Sequence, residues 1–599
     1  MKQDRLWLVL VLSLFCLPLF VGLDRADIDN DEAIYSFAVD RMVETGDWLE
    51  PKAIPNEDFA FIEKPPLKFW IVAAPIRLGL LPLNEFGIRF WDATFGGLAF
   101  VYVFLIGRRL AGPVCGVVAA LVLVAHRPLL FEHGLRTNNM EASLVLAYCG
   151  GIFHFLEWFD SEAWRARAGH VLAVCLFFFL GFMTKFVAVA FLPMVMAAVV
   201  LFSSRGRRQL VRDWRVWSVA ALLTAVAIAP WFIWASLRYG WFFWETIFTA
   251  HVYTRFTSFL DPSHLQPWHY YFTTMYARFA ESGQHWMVII GFVTLLVLSV
   301  MRRSVDGMAV VLWGALPVIG MSFGTSKIYH YVYPFLPPFA LGIGYVIALL
   351  IMLGASPFRR ALLAIEARIA RAPKLARVLE LSAVRLVLVS ISALALLVAA
   401  VTLVFGPINL APGGDTLFKS SGLFRPIVVS IVFGLLGGAV NSGSQATAVV
   451  LVSSLLPLPG YRDSWARIGL EQHPIRQSRD CILDVERRVG GPGLYVDVPP
   501  EDLTHGVYYH FRRVRPWLRT SEPAPAALQT YLEDTAQQRP ILVVDRTYQA
   551  FMHGSANAAG VRQRTASPPM LNFPPAVVLL LPGPYAVCAV EPTPLHDAR

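Results

Sequence analysis

Charge is what this chain has least of. Only 16% of its 599 residues are Asp, Glu, Lys or Arg, against 56% hydrophobic residues and a mean hydropathy of +0.54. A soluble globular domain carries about a quarter charged residues, so that class is excluded. Cysteine is scarce too, at six in all, and shows no metal-ligand spacing. Cys16, Cys115, Cys149 and Cys175 fall in apolar stretches, where inert buried thiols are expected. Cys481 and Cys588 lie in the tail, where an oxidising compartment permits a pair. No internal repeat is found, which removes a common mark of transporters.

Apolar runs long enough to cross a bilayer are abundant. The first, "LWLVLVLSLFCLPLFVGL" (6–23), follows Lys2 and Arg5. No small-x-small cleavage site comes after it, so it reads as an uncleaved span and not a signal peptide. Further spans are expected near 87–107, 111–131, 140–158, 169–182, 184–202, 215–237, 286–301, 308–324, 331–353, 384–405, 423–439 and 444–458. The fold class is therefore a mostly α, polytopic membrane protein of about thirteen helices.

The charges test that count. With the N-terminus inside, the even-numbered loops should be cytoplasmic and basic. They hold Arg108 and Arg109, Arg165 and Arg167, "SSRGRRQLVRDWR" (203–215), Arg302 and Arg303, and the basic stretch 358–380. The net charge of +9 is thus mostly orientation, and no nucleic-acid partner is needed to explain it. The chain reads as a multi-pass protein of a bacterial inner membrane, its N-terminus cytoplasmic. Residues 1–458 form the membrane domain, with 24–86 as the first outer loop. Residues 459–599 change composition, and "GLYVDV", "PILVVD" and "AVVLLL" read as buried strands of a small periplasmic α/β domain.

The odd-numbered loops collect the remaining polar residues. The stretch "DEAIYSFAVDRMVETGDWLEP" (31–51) puts Ile34, Phe37, Ala38 and Met42 at helical spacing, an amphipathic helix expected to lie on the membrane. Asp27, Asp29, Asp31 and Glu32 crowd its start. A helix cap explains one or two of them and leaves the others unexplained. "IEKPPLKFW" (62–70) sets Glu63 and Lys64 before a proline turn, and alone would read as a surface ion pair. "HVYTRFTS" (251–258) spaces His251 and Arg255 four apart, and "SKIYHYVYPFLPP" (326–338) has Lys327 one turn before Tyr331. Acids and bases from five outer loops thus gather at one membrane surface.

These pieces, with "LRTNNMEASLVL" and "FMTKF", make the chain similar to the dolichyl-phosphate-mannose protein mannosyltransferase superfamily. The likeness covers roughly residues 1–345 and is nearest the bacterial branch that includes the lipid A aminoarabinose transferases. It implies a C-type glycosyltransferase fold and transfer of a sugar from a polyprenyl-phosphate donor to a lipid, protein or glycan acceptor. By the resemblance Asp31 occupies the catalytic Asp position, and Glu63 and Glu141 join it. Lys64, Lys185, Arg255 and Lys327 would neutralise the donor phosphate, with Tyr331, His251 and Arg136 also binding substrate. The superfamily often has Asp where "RTNNME" has Glu141, a departure that weakens the aminoarabinose reading in particular. Basic residues can balance a lipid monophosphate, so no cofactor is required, while "DID" and "DND" keep a divalent metal as an open alternative.

Two other classes fit the spans alone. A transporter or flippase of a lipid-linked saccharide should carry ionisable groups at mid-membrane, and here they cluster at one surface. A membrane-anchored sensor or scaffold would leave the first 345 residues unexplained.

Overall fold

The computed structural model describes residues 2–52, 60–259, 262–350 and 382–405, with short pieces from 408 to 581. Among them the chain is almost wholly helical. A first helix, α1 (Lys2–Val11), runs on through tighter and wider turns to Phe20. Then come α2 (Asn30–Thr45), α3 (Leu67–Arg77), α4 (Glu85–Ala111), α5 (Pro113–Ala125) and α6 (Glu141–Asp160). After these follow α7 (Trp164–Lys185), α8 (Phe191–Phe202), α9 (Ser204–Tyr239), α10 (Tyr270–Glu281), α11 (His285–Arg302) and α12 (Val305–Ser322). Six helices among the described residues are long and apolar enough to cross a membrane, or seven if the bent pair Tyr329–Phe335 and Pro337–Leu350 is one span.

Each of these matches an expected span, and most of 423–439 and all of 444–458 lie outside the described residues. The basic stretch 203–215 departs from expectation. It forms the first turns of the 36-residue α9, with the Ser203 hydroxyl accepting the Gly206 N–H as a cap. Its arginines are good helix formers, and Asp213 holds Arg167 at 2.8 Å.

α6 is the centre of the bundle: 83% of its most apolar window is buried, against 11% for α9, whose bare apolar flank suits lipid. Close approach needs small residues. A Cβ on Gly107 of α4 would lie 2.4 Å from the Gly116 Cα of α5. The ends of α6 are chemically distinct. At Asp160 the end is held by ion pairs, Arg109 meeting Glu157, Asp160 and Asp306, while at Glu141 the other end carries the candidate site.

α2 does not lie on a membrane. Phe37, Ala38 and Met42 are buried against α3, α4 and Tyr509, because its apolar stripe finds protein partners first. Under it runs a buried polar network. Arg89 grips both oxygens of Glu32 at 2.6 and 2.7 Å, and Lys68 donates to Asp92 at 2.7 Å and to Asn138 at 2.8 Å.

Strands occur where the tail was expected to have them, at Tyr495–Asp497, Ile541–Asp545 and Val577–Leu581. The last two pair in parallel, and Tyr495–Asp497 pairs in parallel with Trp517–Arg519. Most of 459–599, Cys481 and Cys588 included, lies outside the described residues. Some of those that are described meet residues 24–86. Arg476 meets Asp27 at 2.9 Å, and the His510 Nε2 accepts the Ile28 N–H at 3.0 Å.

Candidate active site

Five chain segments meet around one pocket of about 230 Å³. The turn before α3 supplies Glu63 and Lys64, the first residue of α6 supplies Glu141, and the last residue of α7 supplies Lys185. The π-helical stretch Glu245–Thr254 and the turn after it supply His251 and Arg255. At the wider π pitch these two still share a face, as their spacing of four required. The 3-10 turn Tyr329–Phe335 supplies His330 and Tyr331. The rest of the wall is apolar, with Leu144, Phe191, Val252, Phe256 and Phe335 prominent.

The polar groups are tied together. Lys185 donates to Glu141 at 2.5 Å and lies 4.9 Å over the Tyr331 ring, whose hydroxyl accepts from Arg255. His251 Nε2 sits 3.2 Å from Glu63, and Lys64 lies 3.8 Å from the same oxygen. Burial alone would raise the Glu63 pKa. The His251 hydrogen bond and the charges of Lys64, His251 and Arg255 outweigh it and hold the carboxyl at about 2. Burial, helped by Lys185 and Arg255, pulls Lys64 down to about 8 against the opposing pull of Glu63. The Nε of Arg255 is buried with no hydrogen-bond partner. Three cationic side chains thus face two carboxylates in an apolar cleft, an arrangement that favours an anion.

Seven of the ten residues singled out from sequence come together here: Glu63, Lys64, Glu141, Lys185, His251, Arg255 and Tyr331. Lys327 stands apart. Its ammonium is buried against the carbonyls of Gln266, at 2.8 Å, and Gly324, so it ties two loops together. The helical spacing inferred for Lys327 and Tyr331 fails because Lys327 precedes the 3-10 turn Tyr329–Phe335, and Ile328 between them is extended. Arg136 lines a second cavity, bonded to Glu471 at 2.6 Å and to the Pro18 and Leu19 carbonyls. Asp31 lines neither cavity; its side chain is 49% exposed and 3.8 Å from His133. Its charge is felt by Lys64 and by Tyr35.

His133 and His330 were missed. The His133 ring stacks on His330 at 4.5 Å, and His330 Nε2 lies 3.8 Å from Glu141. Both sit inside quoted motifs, but nothing in their spacing tells a stacked pair from two loop histidines. The positive φ of 54° at His133 is likewise invisible in sequence. Among the described residues no group of three or more His, Cys, Asp or Glu stands close enough to hold a metal ion.

Residues 63–234 match the family described as dolichyl-phosphate-mannose-protein mannosyltransferase. The chain is 26% identical over 317 residues to undecaprenyl phosphate-alpha-4-amino-4-deoxy-L-arabinose arabinosyl transferase 1 of Pseudomonas fluorescens strain Pf0-1, covering 52% of each protein. It is 24% identical over 370 residues to the transferase of that description from Pseudomonas aeruginosa strain UCBPP-PA14, covering 59% of this chain and 62% of that one. The chain thus spans about half the length of the curated relatives it matches. Its fold is similar to that of the crystal structure of ArnT from Cupriavidus metallidurans bound to undecaprenyl phosphate. There the TM-score is 0.55 at 17% identity, over 96% of this chain and 93% of that one. The apo form of the same protein gives 0.54 at 19% identity, over 87% and 86%.

Proposed function

We propose that this chain, similar over its membrane half to the polytopic glycosyltransferases of the dolichyl-phosphate-mannose protein mannosyltransferase superfamily, moves a sugar from a polyprenyl-phosphate donor to an envelope acceptor. The reaction would run on the outer face of a bacterial inner membrane. One observation carries the reading: Lys64, Lys185 and Arg255 converge, with Tyr331, on a cleft whose other wall is apolar. That combination suits a phosphate attached to a hydrocarbon chain.

The chemistry follows from the groups. The leaving phosphate is already stable as an anion, so it needs positive charge and no general acid. Arg255 offers a fork and Lys64 a point charge. Glu141 is spent on Lys185, and Glu63 accepts from His251, so both carboxylates orient cations. Asp31, half exposed beside the His133 that stacks on His330, is left as the base for an acceptor hydroxyl. In a single displacement the acceptor oxygen bonds to the anomeric carbon as the bond to phosphate oxygen breaks. The acceptor proton passes to Asp31, and the configuration inverts. No step needs a metal or other cofactor. The tail is read as a periplasmic α/β domain over the first outer loop.

The test is mass spectrometry of envelope lipids and glycans from a deletion strain, complemented with the wild type or with Asp31→Asn. The expected result is one glycan species lost on deletion, restored by the wild type and not by Asp31→Asn. Loss of a transporter would instead leave the lipid-linked saccharide on the cytoplasmic side, whereas loss of the transferase leaves it on the outer side.

A further inference from the structure

α9 has 36 residues and so a length of about 54 Å, far more than the hydrocarbon core of a bilayer requires. Val219, Leu222, Val226, Ile233 and Leu237 share one of its faces at helical spacing, and each is more than half exposed. From Val219 to Leu237 the helix rises about 27 Å, close to the thickness of that core. Towards its start the same face changes character. Arg215, Arg212 and Arg208 continue it at spacings of four, three and four from Val219, and all three are exposed. From Arg215 to Arg208 the rise is about 10 Å, enough to cross the headgroup layer of one leaflet. Val211 and Trp214 stand beside these arginines, 72% and 55% exposed.

This segment lies at the end of the bundle away from the candidate site. Arg205 donates to the Phe159 carbonyl at 3.0 Å and meets Asp160 at 3.3 Å, and Asp160 closes α6 at the end opposite Glu141. The face turned towards protein is Gly206, Gln209 and Asp213, all buried. Asp213 is the one carboxylate in 204–215, and its Oδ2 is taken by Arg167 at 2.8 Å and by the Trp158 indole at 3.0 Å. Its Oδ1 lies 3.5 Å from Arg212, whose side chain is still 53% exposed. Arg207 donates to the Leu201 carbonyl. Arg208 meets no acceptor among the described residues, and Arg215 lies only over the ring of its neighbour Trp214, at 5.6 Å. Arg205 and Arg207 are thus spent on protein. Arg208, Arg212 and Arg215 keep most of their N–H groups for something else.

We propose that Arg208, Arg212 and Arg215 form a binding ridge for an anionic phospholipid in the leaflet remote from the candidate site. The guanidiniums grip the phosphodiester, and Val211, Trp214 and Val219 meet the upper acyl chains. The occupant follows from where the ridge stands. It continues a face whose apolar stripe suits only lipid, and it begins where that stripe has spanned the hydrocarbon core. An acidic protein docked here would have to push lipid off the stripe beside it. Net headgroup charge matters, because a zwitterionic lipid brings its own ammonium to compete for the phosphate. The inference is independent of the sugar-transfer reading and concerns the opposite side of the molecule.

The experiment releases the full-length protein from nanodiscs of equal parts phosphatidylglycerol and phosphatidylcholine and counts retained lipids by native mass spectrometry. Phosphatidylglycerol should be retained over phosphatidylcholine by at least about fivefold, the weight of one basic residue at a membrane surface. Arg208→Gln, Arg212→Gln and Arg215→Gln combined should remove that excess. Lysine at the same three positions should keep most of it, since the charge remains. All variants should hold wild-type affinity for undecaprenyl phosphate, which also reports correct folding. A photoreactive phosphatidylglycerol should crosslink within residues 203–219 of the wild type, a readout that needs no variant. Equal retention of the two lipids overturns the proposal, as does an excess that survives the glutamine variant or a crosslink confined to other segments. An excess lost in Lys64→Ala places the lipid in the cationic pocket and overturns it too. So does a wild-type dimer that the glutamine variant dissolves, since a second copy would then cover the ridge.

Discussion

Asp31 and Glu32 are neighbours on α2, yet they belong to clusters of charge built in opposite ways. Glu32 sits in a buried network in which the charges are consumed internally: Arg89 spends every N–H, and Lys68 is held by Asp92 and Asn138. Asp31 lies outside the lining of a pocket where three cations meet two acids and Arg255 keeps a buried, unpartnered Nε, and its charge reaches Lys64 there. The first cluster fastens α2 to α3, α4 and the loop 132–140. The second leaves positive charge for something that is not protein. Satisfaction of donors, more than the presence of charge, separates scaffold from site.

The widest break in that comparison comes from removing one half of a spent pair. Glu32→Ala would leave the Arg89 guanidinium buried and uncompensated, a loss of about 3–5 kcal/mol for a buried ion pair. The expected outcome is a large drop in thermal stability of the purified protein and poor yield. Restoration by Glu32→Gln to near wild-type stability would count against the ionic network as the fastening.

Asp31→Asn should do the reverse. It should leave stability within about 0.5 kcal/mol, as exposed substitutions do. Turnover on a hydroxyl acceptor should fall about a hundredfold or more, the usual weight of a general base. If the acceptor nucleophile were a phosphate, already anionic, the loss would be far milder. Full activity of Asp31→Asn on a hydroxyl acceptor defeats the assignment.

Arg255→Ala comes next in size. A charged hydrogen bond contributes about 1.5–3 kcal/mol, so undecaprenyl phosphate affinity should drop roughly tenfold to a hundredfold. Lys327→Ala should leave that affinity within about twofold, since its ammonium is spent on carbonyls. Equal losses in the two variants would return Lys327 to the site and blur the distinction between spent and available cations.

Much of this was legible in sequence, for identifiable reasons. Span positions follow from uninterrupted apolar runs, which a bilayer leaves no other way to satisfy. The seven convergent residues were readable because each lies in a short polar motif at a span end. What was not readable depends on partners distant in sequence. Asp27 looks like a surface carboxylate until Arg476 and His510 arrive from the tail, at 2.9 and 3.8 Å. The apolar stripe of α2 looks membrane-bound until α3, α4 and Tyr509 cover it. The second cavity could not be inferred, because a void has no residue of its own.

The smallest expected effect is the sharpest in form. Lys64 keeps its proton only below about pH 8, because burial and the nearby Lys185 and Arg255 disfavour the ammonium while Glu63 supports it. The sign is fixed: the cation is present below that pH and lost above it. Undecaprenyl phosphate affinity for the free protein should therefore fall as pH rises from about 7 through 8, by at most about tenfold per unit. The other titrating groups lie on the acid side: a phosphate loses its second proton near 6, and burial pulls His251 below its ordinary value. Lys64→Arg should abolish the break, since a guanidinium does not titrate in this range. Glu63→Gln should move it to lower pH by removing the charge that supports the ammonium. An unchanged break in Lys64→Arg would assign the titration to another group, and Lys64 would then join the spent cations of the scaffold.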